Sequence, residues 1–189
     1  MAAKLKLAVL GMAHDHLWGN LASLKKLEQV RLVAGADPNP VLQQRFQERS
    51  GCRKVYEDWE ALLNREKPDA ALVYSSPAQH AELVERCAEH GVHAMVEKPM
   101  AATLEQADRM LLAARRARIR LMVNWPTAWS RSLRTAHRLV REGSIGHVWQ
   151  LTWRGGHCGP DEIGCSPEFC QFLFDKDLNG AGAFNDYSG

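Results

Sequence analysis

Apolar positions along this chain fall into two alternating patterns. Short continuous runs occur at Lys4–Leu10 (KLKLAVL), Val30–Ala36 (VRLVAGA), around Val55, at Ala70–Tyr74 (AALVY), at Val92–Val96 (VHAMV) and at Arg120–Val123. Their length and continuity suit strands buried on both faces. Between them the apolar spacing turns helical. Leu17, Leu21 and Leu24 mark a helix from Asp15 to about Leu27, and Pro40 opens another that runs to about Arg49. Asp58 can cap a helix carrying Trp59, Leu62 and Leu63. Ala78 to His90 forms the next, closed by Gly91, and Thr103 with Gln106 makes a capping box. The helix it starts is expected to turn Leu104, Ala107, Leu111 and Ala114 inward. Strands alternating with helices predict an α/β fold, a doubly wound parallel sheet of the Rossmann kind, over residues 1–124.

After Asn124 the character changes. Trp125, Trp129, Trp149 and Trp153 cluster here, a helix is expected from about Thr127 to Arg141, and Val148–Arg154 alternates as a half-buried strand. Gly155–Gly189 is rich in Gly, Pro and Cys and has little periodicity. Residues 125–189 read as the beginning of a second, α+β domain that is cut short.

Composition narrows the function classes. The chain has 189 residues, 46% hydrophobic and 24% charged, with a net charge of +2. That balance gives no general pull toward nucleic acid or a membrane surface. The basic run Arg115, Arg116, Arg118 and Arg120 ends a predicted helix, where cations suit the dipole. No stretch approaches the roughly 20 apolar residues of a membrane span. The N-terminus enters a strand pattern directly rather than a signal peptide, so a cytoplasmic location is expected. The five cysteines (Cys52, Cys87, Cys158, Cys165 and Cys170) are then expected as thiols rather than disulfides.

The first strand-to-helix turn reads Gly11-Met12-Ala13-His14-Asp15-His16. A dinucleotide fingerprint would carry three glycines there; only the first is present. The helix N-terminus still suits a phosphate, and Asp37 ends the second strand 21 residues after His16, where a ribose acceptor belongs. A carboxylate there favours NAD over NADP, whose 2′-phosphate it would repel; otherwise Asp37 is a turn residue before Pro38. His14 and His16 invite a metal reading, but no third ligand is anchored by sequence and the spacing is no metal signature. Contact with cofactor or substrate is preferred, with a packed or capping histidine as the plainer alternative. His157 with Cys158, Cys165 and Cys170 is spaced irregularly, and no metal is expected.

Ligands of open parallel sheets bind at the carboxyl ends of the strands. Ser75-Ser76-Pro77-Ala78-Gln79-His80 lies at one such end and Glu97-Lys98-Pro99-Met100 at the next. Lys98 should face the cleft, where it can donate to a substrate hydroxyl or, if desolvated, lose its proton.

Two stretches, Ala70–Ala101 (AALVYSSPAQHAELVERCAEHGVHAMVEKPMA) and Arg141–Leu151 (REGSIGHVWQL), resemble the Gfo/Idh/MocA oxidoreductases, that is, glucose-fructose oxidoreductase, inositol dehydrogenase and relatives. The resemblance covers essentially the whole chain but only about half a typical member. It implies a Rossmann domain followed by a domain built on a large open, mostly antiparallel sheet. It implies that Ser75, Pro77 and His80 line the nicotinamide side of the cofactor cleft, where Ser76 is a further cofactor-binding candidate, with Glu97 and Lys98 near the nicotinamide and Lys98 catalytic. Asp186, in Gly180–Asp186 (GAGAFND), matches the family's catalytic Asp, and the His four residues beyond it would fall at position 190. The first turn, from Gly11 through Met12, Ala13 and His14 to His16, departs from the family's glycine pattern.

The leading expectation is hydride transfer between a nicotinamide cofactor, NAD with NADP as the alternative, and the hydroxyl-bearing carbon of a small sugar or polyol. A complete form is expected to be a homo-oligomer joined through the second domain's sheet. The alternatives are a dinucleotide-binding sensor without catalysis and an inactive fragment of such an enzyme.

Overall fold

The protein is described by a computed structural model covering residues 3–187. Its six strands are β1 (Leu5–Leu10), β2 (Val30–Ala36), β3 (Val55–Tyr56), β4 (Ala70–Val73), β5 (His93–Glu97) and β6 (Leu121–Asn124). They form one sheet in the order β3-β2-β1-β4-β5-β6. Every neighbouring pair is parallel. The register aligns Leu10 with Ala36 and Val73, and Glu97 with Asn124. The strand order therefore reverses direction between β1 and β4, and the residues just past these strands share one edge.

Side chains alternate across a strand. Ala8 and Leu10 go to one core with Ala36, Val73, Val96, Leu83 and Met110. Leu7 and Val9 go to the other, with Met12, Leu17, Leu21, Phe46 and Tyr74. Each fully buried Leu or Phe contributes on the order of 1.5–3 kcal/mol to holding a helix against the sheet.

The covering helices are α1 (His16–Leu24), α2 (Pro40–Ser50), α3 (Trp59–Glu66), α4 (His80–Glu89) and α5 (Leu104–Ala117). Asp58 accepts from the Glu60 and Ala61 amides, and Thr103 with Gln106 forms the full capping box. The first helix stops at Leu24; Lys26 and Leu27 continue in tight turns, and Leu27 is exposed. Pro77–Gln79 forms a 3-10 turn ahead of α4.

The inward stripe of α5 differs from expectation. Met110 and Ala114 are buried and Ala107 partly so, whereas Leu104 is 79% and Leu111 40% exposed. Residues 107, 110 and 114 lie on one helical face, and position 111 is turned about 100° away from 110.

Two compact units are present. The residues up to Asn124 together with those from Cys165 onward form one, and Trp125–Gly164 form the other. The smaller unit has a 3-10 turn, Pro126–Trp129, and α6 (Arg131–Arg141). The strand expected over Val148–Arg154 is not formed: Trp149, Leu151 and Trp153 are 90%, 84% and 67% exposed. A strand needs a neighbouring ladder to satisfy its backbone, and among the described residues none pairs with it. The expected open antiparallel sheet is thus not formed among the described residues. The segment from Cys165 carries α7 (Pro167–Leu173), α8 (Lys176–Asn179) and α9 (Ala183–Tyr187) and packs with the parallel-sheet unit.

Candidate functional site

The site is built from the turns that follow β1, β2, β4 and β5. Gly11 opens the first turn with φ +73°, and a Cβ there would lie 2.6 Å from the Ser75 Cβ. Only glycine meets both demands, the left-handed backbone and the close approach to β4. The His14 amide then donates to the Tyr74 carbonyl at 2.9 Å, fastening this turn to the end of β4.

Asp37 sits at the end of β2, 5% exposed. Its Oδ2 accepts the Met12 amide at 2.6 Å and its Oδ1 the Asn39 amide at 2.8 Å. Burial pushes its carboxyl above the usual range, the two backbone donors pull it back, and the charge of Glu168 raises it further. Met12 is fully buried and Ala13 half-buried.

His14 is 2% exposed. Burial holds its pKa well below that of an ordinary histidine, and the charges of His16, Lys98 and His80 act in the same direction. His14 is therefore neutral near pH 7. Its Nδ1 accepts the His16 amide at 3.2 Å, which leaves the ring proton on Nε2. His16 stands beside it with Nδ1 3.1 Å from Glu97 Oε2.

Glu97 is the buried hub at the end of β5, at 0% exposure. Its Oε1 accepts from Asn124 Nδ2 at 2.6 Å, and Oε2 also accepts the Lys98 amide at 3.1 Å. Lys98 Nζ donates to Asp186 Oδ1 at 2.5 Å. Both side chains remain partly open, at 15% and 13% exposure. The structure thus brings together Lys98 and Asp186, 88 positions apart in sequence.

Ser75, Ser76 and Pro77 lie buried at the end of β4, with Ser76 Oγ 3.1 Å from Gln79 Oε1. His80 is fully buried, with Nδ1 3.0 Å from the Met100 carbonyl oxygen. Burial lowers its pKa, so it is a neutral strut between the turns after β4 and β5.

The segment from Cys165 crosses the same edge of the sheet. The Ser166 amide donates to Asp15 Oδ2 at 2.7 Å, and the Phe169 ring meets His14 edge-on at 4.8 Å. Further along, Asn185 Nδ2 donates to the Ala101 carbonyl at 3.3 Å. Sequence reading missed Asn124, Ser166 and Phe169. Asn124 had a usable signal, because it ends the strand after Glu97-Lys98 and falls opposite Glu97 in the register. Ser166 and Phe169 had none.

Among the described residues, His14, His16 and Glu97 have ligand-capable atoms within 4.8 Å of one another. Glu97 supplies the third member that sequence spacing lacked. In the structure His14 Nδ1 accepts the His16 backbone amide and His16 Nδ1 pairs with Glu97 Oε2, so the three residues form a hydrogen-bonded network. A dinucleotide fits the edge better. Asp37 offers ribose oxygens an acceptor, Gly11 lets the backbone approach closely, and the start of α1 suits a phosphate.

The chain is similar to known oxidoreductases over this domain. Residues 5–125 match the model of an oxidoreductase family with an NAD-binding Rossmann fold. The myo-inositol 2-dehydrogenase of Thermotoga maritima is 31% identical over 134 residues, which is 70% of this chain and 40% of that protein. An oxidoreductase from Agrobacterium radiobacter, solved with NAD+, L-tartaric acid and magnesium, superposes with a TM-score of 0.73 at 26% identity, covering 77% of this chain and 42% of that one. A 3-ketoreductase from Actinomadura kijaniata, solved with TDP-benzene and NADP, superposes with a TM-score of 0.67 at 29% identity, over 77% of this chain and 46% of that one. The chain spans less than half the length of these relatives.

Proposed function

The chain belongs to the Gfo/Idh/MocA oxidoreductase family, and from that premise we propose that it forms the dinucleotide-binding part of an NAD(P)-dependent oxidoreductase acting on a hydroxyl-bearing carbon of a sugar or polyol. The observation that carries the reading is the Lys98–Asp186 ion pair, partly open to solvent, at the carboxyl end of β5. It lies on the strand-end edge that also carries Asp37, where open parallel sheets bind their ligands.

When bound, the nicotinamide supplies or accepts the hydride. The rest falls to this chain's side chains. Lys98 Nζ is the donor that orients the substrate hydroxyl, and Asp186, already accepting from Nζ, is the group to which that proton passes. Glu97 is too deeply buried to touch substrate; it holds the Lys98 backbone and the His16 ring. Asp37 accepts from the adenosine ribose. Trp125–Gly164, a unit of their own, are read as the start of a substrate domain whose open, mostly antiparallel sheet joins complete chains.

The test is a fluorescence titration with NADH, followed by turnover assays against a panel of sugars and polyols. Lys98→Ala in the complete protein is expected to reduce turnover by at least about a thousandfold, the scale of an acid–base group that also orients substrate. Its NADH affinity should stay within about threefold of the original. A Lys98→Ala protein that turns over normally would sink the assignment.

A further inference from the structure

His14 and His16 sit on the first turn and Glu97 ends β5, yet the fold brings ligand-capable atoms of all three within 4.8 Å of one another. The proposed reaction gives His14 no task and uses Glu97 only as a support. Two imidazoles and a carboxylate are a donor set that suits a zinc-type divalent ion. We propose that His14, His16 and Glu97 form a binding site for such an ion, with a fourth coordination position left to water or an anionic oxygen. The proposal stands apart from the dinucleotide reading, which draws on Asp37, Gly11 and the start of α1.

The geometry is close to what an ion requires. Zinc bonds of about 2.0–2.2 Å in a tetrahedral arrangement put neighbouring ligand atoms roughly 3.3–3.6 Å apart. His16 Nδ1 and Glu97 Oε2 are 3.1 Å apart, and the cluster as a whole has to close by a shift on the order of 1 Å. His16 can supply that movement, because its side chain is 41% exposed. Coordination replaces two contacts, His16 Nδ1 to Glu97 and the His16 amide to His14 Nδ1 at 3.2 Å, both near the long end of the hydrogen-bond range.

The surroundings hold the other two ligands. The His14 amide is fastened to the Tyr74 carbonyl, and its ring packs edge-on against Phe169 at 4.8 Å. Glu97 Oε1 is engaged by Asn124 Nδ2 at 2.6 Å, while Oε2 faces His16. Carboxylates that bind metals are commonly supported in this way. Glu97 is also fully buried, and buried carboxylates are matched by a paired charge or by a metal.

The experiment titrates the unaltered chain with Co2+, whose absorption spectrum reports the ligand type. That matters because the chain also carries five cysteine thiols. Binding is expected to saturate at one equivalent, to show no thiolate-to-cobalt charge-transfer band, and to be reversed by Zn2+. His16→Ala and Glu97→Gln, each with its fold verified by circular dichroism, should bind Co2+ at least about a hundredfold more weakly, since loss of a group that merely supports a ligand costs roughly 10–100-fold. His16 is part-exposed, so its replacement is expected to leave the fold intact. Absence of saturable binding to the unaltered chain would overturn the proposal. So would a thiolate band, which places the ion on cysteines, or Co2+ affinity unchanged in folded His16→Ala.

Discussion

Gly11 shows how much a single position decides at this site. Its left-handed backbone and its approach to Ser75 leave no room for a methyl group. Gly11→Ala is expected to cost about 2–4 kcal/mol, combining an unfavourable φ with a forced shift of β4's end. Urea denaturation checks this, and a midpoint equal to the original would count against the close approach. The other two glycine positions of the ordinary fingerprint hold Ala13 and His16 here. His16 uses the extra reach to meet Glu97, which no glycine could do. The residue identities at the strand ends were legible from the chain alone. Their burial was not: His14 and His80 look like cleft-lining histidines in sequence and are 2% and 0% exposed.

At the scale of elements, periodicity located all six strands and the covering helices to within a few residues, because buried runs and helical stripes are local patterns. The capping box of α5 was legible for the same reason. Thr103→Ala removes the acceptor for the Gln106 amide and is expected to destabilise the protein by about 1 kcal/mol. The thermal midpoint should fall by a few degrees, and an unchanged midpoint would show that solvent replaces the cap. Two elements misled. In α5 the expected Ala107 and Ala114 do face inward, but Met110 takes the place between them and Leu104 and Leu111 are exposed, because apolar character alone does not say which face a leucine occupies. Val148–Arg154 has the alternation of a strand, but alternation describes a face and does not supply a pairing neighbour.

The whole molecule couples these buried histidines to pH. His14 and His80 both have pKa values lowered by burial. Above about pH 6.5 they are neutral in folded and unfolded chains alike and contribute no pH dependence. As pH falls below that value the unfolded chain takes up protons that the folded chain refuses. Stability therefore drops with falling pH until the lowered folded values are reached. Urea midpoints measured from pH 8 to pH 5 should decline below about pH 6.5, and His14→Gln should flatten that decline. A midpoint that rises on acidification would contradict neutral, buried histidines.

By itself the sequence determined the order and kind of the elements up to Asn124, the parallel α/β class, and the chemistry presented after β2, β4 and β5. These follow from local spacing, which a chain carries wherever its remote parts go. Tertiary structure decided which distant side chains meet. Lys98 finds Asp186 across 88 positions, and Asp15 finds the Ser166 amide across 151. It also decided that residues from Cys165 onward pack with the sheet, apart from Trp125–Gly164. No periodicity encodes such encounters, because they depend on the path of the whole chain and on the burial it creates.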